Sequence, residues 1–458
     1  MRKNNKYSCK IQWQLAVVIA LLFLCSTKNS YAQPGWYTQS TNDTNYTYNS
    51  VYFYNYLTGW ICGTNGKIFK TTNGGFNWTQ QLTNSYQNYF QKINGVSTSD
   101  QYVYACGFVN NSIPASATIQ ETSNGGTIWT NKVINFLNFK NLHFINPFTG
   151  FVIGGRAGTL DTGRIYRTTN AGTGGGNTVY TSYADNSVLT LGIFKAITFI
   201  NTNTGWISAT NSQNNTSLLK TTNMGVNWNI TGSLIPGVFI NDIKFINEQT
   251  GWACGGGAAG NRAKVLKTTN GGVNWTEQTF VNSNMFNSMS WVQYFNPGLT
   301  YRGFMVGENG LVYISYDMGE TWIQQITPKL NNLNGVYFVD GKVGWAVGNN
   351  ANILATYNGG VQVNNISTNV PEQYKVYQNY PNPFNPVTTI KFDVVKSGFV
   401  NMAIFDGLGR KIETLVNEEL KPGTYSATWD AKALPSGVYF YRITAQNYTK
   451  TMKMSLVK

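Results

Sequence analysis

Apolar and polar residues alternate in short runs along most of the chain, as in Ile243-Lys244-Phe245-Ile246, and turn-forming residues follow each run. Such alternation predicts strands with one face buried. One unit is clearest from Asn241, reading NDIKFINEQTGWACGG and then KVLKTTNGGVNWTEQ. It predicts four strands. Strand A carries the alternating run, strand B begins at Gly251-Trp252, strand C contains Val265-Leu266-Lys267, and Trp275 begins strand D. The Asn-Gly-Gly between C and D supplies the positive-φ positions of a tight hairpin.

The same turn and its tryptophan return from Thr72 to Trp78, Ser123 to Trp129, Thr222 to Trp228, Thr269 to Trp275 and Tyr316 to Trp322. Two copies are degraded. Thr169-Asn170-Ala171-Gly172 leads into a Gly-rich insertion and then Tyr180, and Tyr357-Asn358-Gly359-Gly360 has no tryptophan after it. A second signature precedes most copies: Gly59-Trp60, Gly150-Phe151, Gly205-Trp206, Gly251-Trp252, Gly303-Phe304 and Gly344-Trp345. Repetition of a four-stranded unit of roughly 40–50 residues predicts an all-β chain with a seven-bladed β-propeller. The last copy lacks its strand D, while Trp36-Tyr37-Thr38-Gln39 resembles Trp78-Thr79-Gln80-Gln81. The N-terminal segment is therefore expected to complete the seventh blade, removing the open seam of the ring.

The [Ser/Thr/Tyr]-[Asn/Asp]-x-Gly-x-x-Trp turn resembles the Asp-box repeat of bacterial-neuraminidase-type propellers. Its TGW…KTTNGG…W register most resembles photosystem II stability/assembly factor-like propellers, over roughly residues 33–366. The sequence departs in using Asn for Asp in every box except Asp317, a change that keeps the turn-forming side-chain contact. In these families the box is structural and lies opposite the usual binding face, so it carries no implication of activity.

The repeat stops near Gly360. A polar linker at 367–373 is expected, followed by Asn379-Tyr380-Pro381-Asn382-Pro383-Phe384-Asn385-Pro386, whose prolines force extended backbone. Six strand-like runs follow, at 388–395, 400–406, 411–416, 424–429, 438–444 and 451–457. They predict a small Ig-like β-sandwich over 374–458. NYPNPFNP, the turn Asp406-Gly407-Leu408-Gly409-Arg410, the segment Leu434-Pro435-Ser436-Gly437-Val438-Tyr439 and a basic last strand ending at Lys458 resemble the type A C-terminal sorting domain of the type IX secretion system. That resemblance implies the type IX machinery as a partner and a secreted or outer-surface destination.

Composition changes this picture at the N-terminus. A basic stretch, the apolar run from Leu15 to Cys25 and Ser30-Tyr31-Ala32 read as a signal peptide over 1–32, too short in its apolar core to span a bilayer. Five of the 33 basic residues lie there without any acid, which leaves 28 against 19 and a net charge of +9. No Lys/Arg run remains, so nucleic acid is not an expected partner. Cys62, Cys106 and Cys254 each precede glycine at the same repeat position and read as buried small apolar residues rather than zinc ligands. No metal, no cofactor and no transmembrane segment is expected in the mature chain, and a monomer suffices for the fold.

Candidate chemistry falls on the face formed by the B–C and D–A connections. The B–C connections are long near 108–118, 155–164, 209–217 and 256–264, all in blades 2–5, which would raise one side of that face. Arg156 and Arg164 lie on one of these and Arg262 on another, placed to grip a carboxylate or sulfate, although solvated loop arginines would read the same. Tyr86, Tyr89 and Phe286 lie in D–A connections and could offer ring faces to sugar or protein, or serve inter-blade packing. A sialidase needs an arginine triad and an Arg-Ile-Pro-type motif that is absent here. Paired carboxylates of a glycoside hydrolase could be sought among Asp161, Asp185, Asp242 and Glu308. His143, the sole histidine, sits at a variable strand A position. The expectation is a non-catalytic propeller binding polysaccharide or protein, with a secreted glycoside hydrolase as the alternative and a pure scaffold as a third reading.

Overall fold

The computed structural model describes residues 35–458 except 44, 82–87, 110–115, 136, 157–161, 173–177, 184–185, 258–262, 279, 281–283, 296–298, 326, 361–362, 368 and 432–433. The signal peptide expected at 1–32 lies outside the described residues. Seven four-stranded antiparallel sheets come first. Blade 1 runs Tyr48–Phe53, Gly59–Gly63, Ile68–Thr71 and Thr79–Gln80 from inside to outside, and blades 2 to 6 repeat that order. Blade 7 takes Leu333–Phe338, Gly344–Gly348 and Ile353–Thr356 from one end of the repeat array, and Tyr37–Gln39 from the other. The expected clasp is thus present. Trp36 anchors it, fully buried, edge-on to Phe338, with its indole Nε1 donating to Gln325 Oε1 at 2.7 Å.

Each C–D turn is built on a buried Thr or Ser that precedes the Asn-Gly pair. In blade 1 the Thr71 hydroxyl donates to Asn73 Oδ1 at 3.0 Å and accepts from Gly75 N at 2.8 Å. Asn73 Oδ1 also accepts from Asn77 N at 2.9 Å. Gly74 and Gly75 hold φ of 73° and 89°, which disfavours any side chain there. Thr122, Thr221, Thr268 and Ser315 repeat the arrangement. In degraded blade 3 Asn170 Oδ1 still accepts from Val179 N at 3.0 Å across the insertion, and Tyr180 stands where the tryptophan would be. Its hydroxyl donates to buried Glu121 of blade 2 at 2.7 Å. In the Asn copies one side-chain oxygen makes the turn contacts, while in the Asp copy Asp317 Oδ2 also accepts from Thr321 Oγ1 at 2.6 Å.

Blades are joined by aromatic rings. The strand B ring of one blade stacks on the ring ending strand A of the next: Tyr104 on Phe144 at 3.5 Å, Trp206 on Phe245 at 3.8 Å, Trp252 on Trp291 at 3.7 Å and Phe304 on Phe338 at 3.4 Å. The strand D tryptophan then packs edge-on, as Trp275 does on Phe245. The Gly-Trp signature and the box tryptophan are therefore two halves of one inter-blade contact, dominated by apolar burial. Cys62, Cys106 and Cys254 are free and buried in this packing, as expected.

The C-terminal part is a sandwich of two sheets. One orders Val363–Ser367, Gly423–Asp430, Val387–Val394 and Lys375–Val376; the other orders Lys411–Leu420, Gly398–Phe405, Gly437–Ala445 and Tyr448–Leu456. All six expected strands are present. The boundary differs from expectation: Val363–Ser367 pairs with Gly423–Asp430, so the sandwich begins before residue 366. That polar stretch has no apolar alternation, and only edge pairing makes it a strand. The Pro-rich motif wraps the core, burying Phe384 and hydrogen-bonding Asn379 Nδ2 to Pro381 O and Thr388 Oγ1. A buried ion pair joins the two domains. Arg302 of blade 6 reaches Glu413 at 2.6 Å, donates to Gly341 O and lies over the Tyr316 ring, while Trp429 Nε1 donates to the second Glu413 oxygen.

Candidate functional site

Every inner strand begins with a β-bulge, one extra residue next to the channel mouth. A bulge re-aims one side chain out of the ladder. In blades 1, 5, 6 and 7 the bulged residue is asparagine. Asn49, Asn241, Asn287 and Asn334 each donate Nδ2 to a strand A carbonyl of the following blade, at 2.7, 2.9, 2.9 and 3.0 Å. Blades 2, 3 and 4 carry Gln91, Lys140 and Lys195 instead. Lys140 lies over the Phe108 ring at 5.6 Å and Lys195 over the Phe239 ring at 4.9 Å. Phe108 in turn stacks on Tyr89 at 5.4 Å. Amides thus fill five of the seven bulges, and the two in blades 3 and 4 present ammonium groups on aromatic faces.

A second group lies along the same inner strands. Asp242 is buried and accepts four bonds: from Ile243 N, from Lys244 Nζ at 2.7 Å, from Ser288 Oγ and from Met289 N. Burial pushes its carboxyl upward, but the ammonium groups of Lys244 and Lys92 and these bonds outweigh it and hold it below the usual carboxylate range. Burial lowers Lys92, with Asp242 pulling the other way. Burial also lowers Lys140 and Lys195, and the field of Lys140 adds to the effect on Lys195. His143 is pushed down to about 3 by burial, then by Lys244 and Lys92. It is a neutral imidazole at physiological pH.

The residues expected to bind ligand fare unequally. Tyr89 is half-buried at the mouth, stacked as described. Phe286 is fully buried between Phe280 and Tyr313, so it packs the blade and offers no face to a ligand; its strand position turns it inward. Arg164 is half-buried and donates to Gly163 O at 2.7 Å. Arg156 ends strand B of blade 3, with its side chain outside the described residues. Tyr86 and Arg262 also lie outside them, as do the centres of three of the four long B–C connections. The lysines of the mouth were passed over in sequence. Their signal was Lys at a position where four other repeats carry Asn.

The site offers cations, amides and ring faces. Asp242 is committed to Lys244 and to blade 6, and Glu308 Oε2 accepts from Met285 N at 3.1 Å. Asp161 and Asp185 lie outside the described residues. Among the described residues no group of three or more His, Cys, Asp or Glu is placed to hold a metal ion, and no helix is long and apolar enough to cross a membrane.

Residues 378–458 match the family model described as secretion system C-terminal sorting domain. A sequence comparison with curated proteins finds no match. Among solved structures, YCF48 bound to D1 peptide aligns with a TM-score of 0.52 at 16% identity, covering 73% of this chain and 99% of that one. YCF48 from Cyanidioschyzon merolae gives 0.52 and 16%, covering 70% and 98%. The extracellular domain of BT4673 from B. thetaiotaomicron gives 0.50 and 12%, covering 94% of this chain and 59% of that one. At these identities the likeness is one of fold.

Proposed function

We propose, from a propeller followed by a type IX secretion sorting domain, that the chain is a non-catalytic binding module acting outside the cell. The sorting domain implies secretion. The finer reading is that a Sec signal peptide at 1–32 starts export, and that the B–C/D–A face of the propeller binds polysaccharide or protein. One observation carries it: the seven bulges are alike in backbone but unlike in side chain, with amides closing one arc and Lys140, Lys195, Phe108, Tyr89 and Phe239 lining the other. A purely structural ring would be served by asparagine throughout, because the short amide satisfies the neighbouring carbonyl. Rings beside polar groups suit sugar or protein contact.

The test is retention of the mature chain on a broad glycan array and on a peptide library. One fold neighbour was solved with a D1 peptide, so peptides belong beside glycans. Retention on either supports a binding module. Turnover of a retained glycan would replace it with a hydrolase, and no retention on any surface would leave a scaffold. For export, deletion of 363–458 is expected to leave the propeller in the periplasm; normal release of that truncation would refute the sorting role.

A further inference from the structure

We propose that the arc of the channel mouth formed by blades 2–5 binds an anionic polysaccharide, its carboxylate or sulfate groups held by Lys140 and Lys195. The inference rests on the reading of this face as a binding surface. Lys140 and Lys195, on adjacent inner strands, have no carboxylate or hydrogen-bond acceptor among the described residues, and beside them Lys92 feels the field of one carboxylate, Asp242. The nearby Asp242 is already paired with Lys244 at 2.7 Å. Like charges gathered without counter-charge oppose folding and are retained most simply where an anion arrives from outside. The two bulged lysines stand one blade apart, each on a partly open ring, Phe108 and Phe239. Separate point charges spaced along an arc match a chain carrying anions at intervals, and the rings offer apolar faces to sugar C–H surfaces. The ring faces of Phe108, stacked on Tyr89, and of Phe239 favour a sugar, with its apolar C–H surfaces, over an acidic peptide.

The experiment measures affinity of the mature full-length chain for polygalacturonate, heparin, neutral dextran and polyglutamate. Beside it run Lys140→Gln/Lys195→Gln and, as a charge-matched control on the sandwich, Lys450→Gln/Lys453→Gln. Binding to polygalacturonate or heparin is expected, weakening with salt and falling at least about 10-fold in the first variant while the control binds as wild type. Unchanged melting temperature of the variant would show that a loss is local. Equal weakening in both variants would reduce the effect to net charge and overturn the site. Binding only to dextran or only to polyglutamate would overturn the proposal and leave the binding-module reading standing. No binding to these probes, to any glycan or to any peptide would sink both.

Discussion

His143 shows what a single side chain inherits from its position. Its ordinary pKa near 6.5 falls to about 3 because burial and the ammonium groups of Lys244 and Lys92 disfavour its cation. The folded state therefore refuses a proton that the unfolded state accepts. Stability is complete above pH 6.5 and is lost progressively as pH falls from there towards 3. For a half-buried ring the loss at pH 5 is about 1 kcal/mol. His143→Gln should narrow the difference in unfolding free energy between pH 7.5 and pH 5 by that amount. As the sole histidine, it also gives a single imidazole Cε1–H signal, expected to stay flat from pH 8 to pH 5; a midpoint near 6.5 would contradict the channel electrostatics.

Turns are the elements on which the repeat depends. In blade 2, Thr122 Oγ1 donates to Asn124 Oδ1 and accepts from Gly126 N, both at 2.9 Å. Thr122→Val keeps the shape and strands the buried Gly126 N–H, at a cost of about 1–3 kcal/mol. Urea denaturation should show it as a lower midpoint with an unchanged slope. Thr127, an exposed neighbour in the same turn, should tolerate replacement by serine within about 0.5 kcal/mol. Equal effects at the two positions would mean that the hydroxyl does not hold the turn.

At the scale of the whole molecule two long-range contacts set the architecture. Tyr37–Gln39 pairs with Ile353–Thr356 and shuts the ring. A chain beginning at residue 41 would expose the outer edge of blade 7 and lose the buried Trp36. It is expected to self-associate on light scattering, whereas Trp36→Ala alone should lower stability by about 3–5 kcal/mol. The second contact is Arg302–Glu413, with side-chain exposures of 5% and 8%. Arg302→Ala leaves a buried carboxylate unpaired, at a cost of about 3 kcal/mol or the release of the sandwich from the propeller. Calorimetry should then resolve two transitions in place of one coupled transition, and Arg302→Ala melting as wild type would show that the pair does not couple the domains.

Much of this was legible in sequence because it is local. The C–D turn needs a hydroxyl, an Asx oxygen and glycines within a few residues, so Thr71 to Trp78 states its own geometry. Seven such statements fix the number of blades, and the missing strand D of the seventh points back to Trp36. The sandwich strands were equally plain, except Val363–Ser367, which edge pairing alone makes a strand. Sequence left Phe286 open between a face for ligand and packing, and it packs, because a one-residue bulge decides which way the strand turns its side chains. For the same reason the mouth of the channel was not visible. Lys140 and Lys195 are far apart in the chain and sit on separate alternating strands. Only ring closure and seven matched bulges bring them to neighbouring positions, and only then does the exchange of asparagine for lysine on one arc become a chemical difference.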